Sequence, residues 1–304
     1  FDEIERSAGL TQTHNIAYSS GNDSGNYRAS VGFVQLQGAL KNSDMRNYTV
    51  KLDATQYAFN KKLKLELGVL GSERDGKMQY DPQKMFYSAA AYNPTYPTYK
   101  NPQTGEWDED RLANEIYNPL GQLEVQDRFD VGSLNAHGKA TVTLADGLFF
   151  SAFGSYTRMN LDHKRYVPND IQQGRINGNG WAYIRNMKRT DIMGNLQLTY
   201  TKDFGEHHID ALALMEGQQY KTFWNSEQSF KFDTNYFGFN NMKAGANVSW
   251  GDVDSESTEY TLCSYMARLN YMYGNRYIAT VNLRTDGSSK LGEGHKWGWF
   301  PSAS

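Results

Sequence analysis

The chain has a single cysteine, Cys263, in 304 residues, which excludes an internal disulfide and a cysteine-rich metal cluster. It has no run approaching the roughly 18 apolar residues of a membrane-crossing helix, so any passage through a bilayer falls to strands. Its opening, Phe1 followed by Asp-Glu-Ile-Glu, lacks the basic and then apolar order of an export signal, and the expectation is that such a signal lies upstream. Net charge is small as well. Lys and Arg number 31 against 34 Asp and Glu, a formal −3, so no general basic field attracts nucleic acid and no acidic tail stands out. Apolar residues make up only 39% and mean hydropathy is −0.71, low for a packed core of this length.

What is abundant is aromatic. With 21 Tyr, 15 Phe and 6 Trp, the chain carries far too many rings for a solvated coil. It also repeats one pattern. Leu63, Leu65, Leu67 and Val69 alternate with Lys62, Lys64, Glu66 and Gly68, the period-two signature of a strand with one apolar face. The same alternation returns from Leu134 to Leu144 and from Tyr277 to Leu283. Ten such segments are expected, near 11–19, 26–37, 46–59, 62–74, 128–144, 148–160, 182–201, 207–221, 257–273 and 276–285. No 3.6-residue stripe competes with them. In 207–221, Leu212 and Leu214 share a parity with His208, Asp210 and Glu216, so its facing stays open.

Most of these segments exceed the roughly 9 to 11 residues that cross a bilayer at a tilt. Their connections alternate in length. Short turns fall at Asn60-Lys61-Lys62, Asp146-Gly147, Phe204-Gly205-Glu206 and Gly274-Asn275, whereas long loops are expected near 75–127, 161–181, 222–256 and 286–297. An outer-membrane barrel has this asymmetry. Tyr271, Tyr273 and Tyr277 flank one short turn, and Tyr200 and Phe204 another, where an interfacial girdle would sit. The fold class is therefore all-β, a transmembrane antiparallel β-barrel, with 1–304 supplying about ten strands.

Two distant stretches carry a family resemblance. The first has an Asp2-Glu3-Ile4 lead-in, Gln12-Thr13-His14-Asn15, a turn, and a strand ending in Gln37-Gly38 and Ser43-Asp44. The second runs Arg284-Thr285-Asp286-Gly287-Ser288-Ser289-Lys290 and continues through Trp297 to Phe300-Pro301-Ser302. Together with Ala91-Tyr92-Asn93-Pro94 and Asn118-Pro119-Leu120-Gly121 between them, they resemble the SusC-like branch of TonB-dependent transporters along essentially the whole chain. Gly21-Asn22 departs from that family's usual doubled glycine, which touches only a local turn. The resemblance implies an internal piece of a larger outer-membrane barrel, with its plug domain and TonB-contacting segment outside this chain. It implies active import of bulky nutrients, oligosaccharides or peptides, energised by the TonB complex and assisted by a SusD-like lipoprotein. No cofactor is implied.

The candidate sites are weighed residue by residue. His207 and His208 are adjacent on a strand and so point to opposite faces, which denies them joint metal chelation. Asp108, Glu109 and Asp110 lack the ligand spacing of an EF-hand loop and read as a solvated run. Arg284 to Ser289 lacks the following Gly-Lys-Ser/Thr and helix of a phosphate-cradling loop, and is expected to fold a loop over the barrel mouth. Trp107, Trp224 and Trp250, with Tyr96 and Tyr99, are expected in outward loops, where flat rings suit sugar rings or partner surfaces; loop packing is the competing assignment. Cys263 shares the parity of Tyr265, Ala267 and Leu269 and is expected to face lipid. A closed ten-stranded hydrolase is the alternative class, but no Ser, His and Asp set falls at one mouth. An adhesive outer-membrane protein is a third.

Overall fold

A computed structural model describes residues 2–109 and 116–304; Asp110 of the acidic run lies outside the described residues. Strands β1 (Thr11–Asn22), β2 (Gly25–Gln37), β3 (Asp44–Ala58), β4 (Leu63–Lys77), β5 (Gln126–Ala145), β6 (Leu148–Val167), β7 (Trp181–Phe204), β8 (His207–Phe232), β10 (Val253–Tyr273), β11 (Tyr277–Ser288) and β12 (Trp297–Ala303) pair in chain order into one antiparallel sheet. The short β9 (Gly245–Asn247) pairs with the end of β8. All ten expected segments are strands, and β9 and β12 bring the described total to twelve. Tight turns join neighbours, as at Asp146-Gly147, where Gly147 takes φ +75° and so suits a two-residue hairpin; the β5–β6 register shifts between Thr143 and Ala145 beside that turn.

Register carries the period-two pattern across the whole sheet. Leu65, Ala140, Ala152, Leu196, Met215 and Tyr265 are successive partners on β4, β5, β6, β7, β8 and β10, and Leu52, Val69, Ala136, Tyr156 and Ile192 form a second such row. These side chains make one continuous apolar face whose large members stand exposed, far beyond the patch a water-soluble monomer tolerates. The opposite face is polar: Phe153, Asn195, Glu216, Ser264 and Asp286 are partners across it. The facing of β8 follows from its neighbours. Ile209, Ala211, Ala213 and Met215 pair with apolar-face residues, so Leu212 and Leu214 lie on the polar face. Cys263 sits on the apolar face, partnered by Gly217 and Gly287. One row of that face is nearly bare: Gly138, Gly154, Gly194, Gly217, Cys263 and Gly287 are in register on six adjacent strands.

Several expected boundaries are corrected. β8 runs to Phe232 and β10 starts at Val253, so the connection spans 233–252 rather than 222–256. β11 runs to Ser288, leaving 289–296 as the following loop. Beyond the apolar band both faces are wet, so the contrast that marks a strand disappears from the sequence while backbone pairing continues. The long connections also contain helices that the periodicity did not announce: α1 (Pro82–Ala91), α2 (Pro119–Gln122) and α3 (Gln172–Ile176). Asp81 caps α1 by accepting the Lys84 N–H at 2.9 Å, with Pro82 in the first turn. Met85 of α1 is fully buried against Ile4 and Leu40, flanked by Ala89, Leu120 and Leu123.

Candidate functional site

The long-loop end of the sheet is a built layer. Asn118 caps α2 by accepting the N–H groups of Leu120 and Gly121 at 2.9 and 3.3 Å. Lys100 bridges Glu124 at 2.6 Å and Asp170 at 2.7 Å, tying the 78–125 connection to 168–180. Burial pulls the Lys100 ammonium down, but its two carboxylate partners more than offset this and leave it raised. Glu109 is buried and accepts from Arg175 at 2.7 Å, from the Asn118 N–H at 3.1 Å and from the Gln172 N–H. Burial nevertheless holds its carboxyl above the ordinary range. Burial likewise raises the Tyr92 hydroxyl, which donates to the Asp108 carbonyl.

The five loop aromatics expected to bind do not form one cluster among the described residues. Trp107 packs against the Val125, Val167 and Ile171 core and closes on Gly121, where an added Cβ would meet its ring at 3.1 Å. Tyr96 stands edge-on to Tyr92 at 5.4 Å. Tyr99 is exposed, and Trp250 is fully so at 102%. Trp224 corrects its expected place: it lies on strand β8, not in a loop, because β8 extends past the apolar band. Its parity puts it on the polar face, partnered by Met187 and Glu256.

Around Trp224 the polar face carries a ladder of rings and charges. The Trp224 Nε1 donates to Glu256 at 3.1 Å, and the Arg185 guanidinium lies 4.8 Å from its ring. Four residues nearer the apolar band, at Tyr220 on β8 and Tyr260 on β10, Arg189 of β7 donates to both Asp191 oxygens at 3.0 Å and sits 5.9 Å from Tyr220. Tyr220 stacks on Tyr260 at 4.7 Å and 20°, and the Lys290 Nζ stands 3.8 Å from the Tyr260 ring. The expectation missed Tyr220, Tyr260, Arg185 and Arg189. Their signal was present as aromatics and cations on the polar parity of alternating strands.

The Arg284 motif, expected to fold a loop over the barrel mouth, continues strand β11 as far as Ser288 and turns only at Ser289 and Lys290, and period two splits its strand members between the faces. Arg284 and Asp286 face the polar side as an ion pair, Nε to each carboxylate oxygen at 2.9 Å, with Ser264 3.3 Å from Arg284. Gly287 faces the other side beneath Trp297, whose ring would lie 2.9 Å from an added Cβ. Ser288 and Ser289 fasten the loop base: the Ser288 N–H donates to the Lys296 carbonyl at 2.9 Å, and Ser289 Oγ accepts the Thr261 N–H at 2.8 Å. Phe300 partners Arg284 and Pro301 partners Leu283 on β12. His207 and His208 separate as expected, bonded to Tyr271 and Asp203 at 2.6 and 2.7 Å.

A sheet with one exposed apolar face, one polar face and a thick loop layer at one end is a piece of barrel wall, and relatives agree. A TonB-dependent receptor P3 of Formosa agariphila is 28% identical along all of this chain, which spans 30% of that relative. The TonB-dependent receptor SusC of Bacteroides thetaiotaomicron is 26% identical over 99% of this chain and 31% of its own length. Along its whole length the chain is similar to SusC-like TonB-dependent receptors, and it spans about a third of their length. No protein-family model matches it. A structure of the RagAB peptide importer in its open-open state superposes on 96% of this chain and 33% of its own, with a TM-score of 0.75 and 20% identity, which shows the shared fold. In a barrel of that fold the apolar face is the membrane face and the polar face the interior wall. The matching relatives are receptors, not enzymes.

Proposed function

We propose that this chain supplies part of the wall of a TonB-energised outer-membrane barrel that imports oligosaccharides, working with a SusD-like surface lipoprotein. One observation carries the substrate class: the interior ladder of Trp224, Tyr220 and Tyr260 interleaved with Arg185, Arg189–Asp191 and Lys290. Ring faces match the C–H faces of sugar rings, and planar charged groups match vicinal hydroxyls, so the pattern suits a polar, ring-bearing solute passing a wet wall. The loop layer at the same end presents Tyr99 and Trp250 outward, in position for a lid.

The test uses the full-length receptor in its native membrane. Trp224→Ala and Tyr260→Ala should each lower uptake of the cognate glycan about tenfold, with surface abundance unchanged, and the gene deletion should abolish growth on that glycan. Unaltered growth of the deletion strain on every glycan, together with failure on peptides, transfers the substrate to oligopeptides.

A further inference from the structure

Charge is divided unevenly over the polar face. From the level of Asp191 up to the loop layer, β4 to β7 carry Arg74, Arg165, Arg185 and Arg189 on that face, with His163 beside them, against the carboxylates Asp127 and Asp191. At the same heights β10 carries the opposite sign, as Asp254 and Glu256. Both carboxylates on the cationic side are taken. Asp191 accepts from Arg189 at 3.0 Å, and the buried Asp127 accepts from His163 at 2.6 Å and from Arg165 at 2.8 Å. Arg74 and Arg185 have none: among the described residues, no carboxylate lies within 4.0 Å of either guanidinium. Arg185 is held without being neutralised. It lies 4.8 Å from the Trp224 ring, its Nε is buried and meets no acceptor, and its register partners are His163 and Ser226. The acids of β10 stand two strands away and accept other donors, Glu256 from Trp224 Nε1 at 3.1 Å and Asp254 from the Ser255 N–H at 2.8 Å.

We propose that the imported solute carries acidic groups, carboxylate or sulfate, and that Arg185 and Arg74 select for them. This rests on the oligosaccharide-import reading and narrows it. A desolvated donor without an acceptor is costly. A carboxylate or sulfate offers two oxygens to one guanidinium fork and so supplies Arg185 with the acceptor that the fold withholds. Arg189, by contrast, is neutralised by Asp191 and is left for hydroxyls. Arg74 and Arg185 stand three strands apart and two residues out of register, roughly 15 Å across the wall. One oligosaccharide with acidic groups on separate sugars reaches both, whereas a neutral one leaves both cations unpaired.

The full-length receptor, purified in detergent, is probed with an array of neutral, uronate-bearing and sulfated oligosaccharides and of peptides. An acidic oligosaccharide should bind best, exceeding every neutral one by at least about tenfold, and should lose that advantage in high salt. Arg185→Gln should weaken its binding about tenfold and Arg74→Gln, at an exposed position, about threefold, with neutral sugars unaffected. Arg185→Lys, which keeps the charge but not the fork, should fall between wild type and Arg185→Gln. Lys221→Gln, on the opposite face and paired with Glu259 at 3.2 Å, should change nothing. Whether uronates or sulfates lead decides the source of the charge. A neutral oligosaccharide binding best, or acidic binding undiminished in both arginine variants, overturns the assignment and leaves oligosaccharide import standing. Binding confined to peptides overturns the oligosaccharide reading itself, and this inference with it.

Discussion

Glu109 has three donors around its carboxylate and still titrates high, because the loop layer withholds water from it. An acid whose pKa is raised on folding holds its proton more tightly in the folded state. Its contribution therefore favours the closed layer at low pH and is lost as pH rises from the ordinary value of 4.5 through the raised one. Amide exchange across residues 168–180 of the full-length receptor should accordingly quicken over that interval beyond its intrinsic pH dependence. Glu109→Gln, which keeps the shape and removes the titration, should flatten the excess. An unchanged slope in the variant would exclude Glu109 as its source. At this scale the sequence was least legible. Asp108 and Glu109 read as a solvated acidic run, because nothing in the chain near them announces that Arg175, 66 positions away, and the α2 and α3 N–H groups converge there.

Strands and helices were legible to different degrees, and for physical reasons. The alternation of Leu63 to Val69 marks β4 because one face meets an apolar medium and the other does not. Where β8 leaves that band, Phe223 and Trp224 lie on opposite faces with water on both sides, so the strand was invisible and Trp224 was assigned to a loop. The α1 helix has weak periodicity, but its Asp81-Pro82 start was readable as a cap. Asp81→Ala should cost about 1 kcal/mol of local stability, seen as faster proteolysis within residues 78–92 of the assembled receptor, with the strands still protected. Proteolysis of the whole barrel at the same rate would mean that α1 is not an independently opening unit.

At the scale of the molecule, one wall separates two solvents, and the register rows carry that division across β3 to β8 and on to β10. The row of Gly138, Gly154, Gly194 and Gly217 is where the division is thinnest. Packing does not demand glycine at three of the four: a Cβ at Gly217 would meet nothing within 4 Å, and at Gly194 and Gly154 only carbonyl oxygens at 3.6 and 4.0 Å, whereas at Gly138 it would press on Leu67 at 3.2 Å. Gly217→Val should therefore raise the temperature at which the full barrel unfolds on a gel, since glycine weakens a strand by roughly 0.5 to 1 kcal/mol; a lowered temperature would reveal a contact that the space does not show. Four adjacent strands without side chains at one level leave a shallow furrow across this part of the wall, where lipid chains lie directly against backbone.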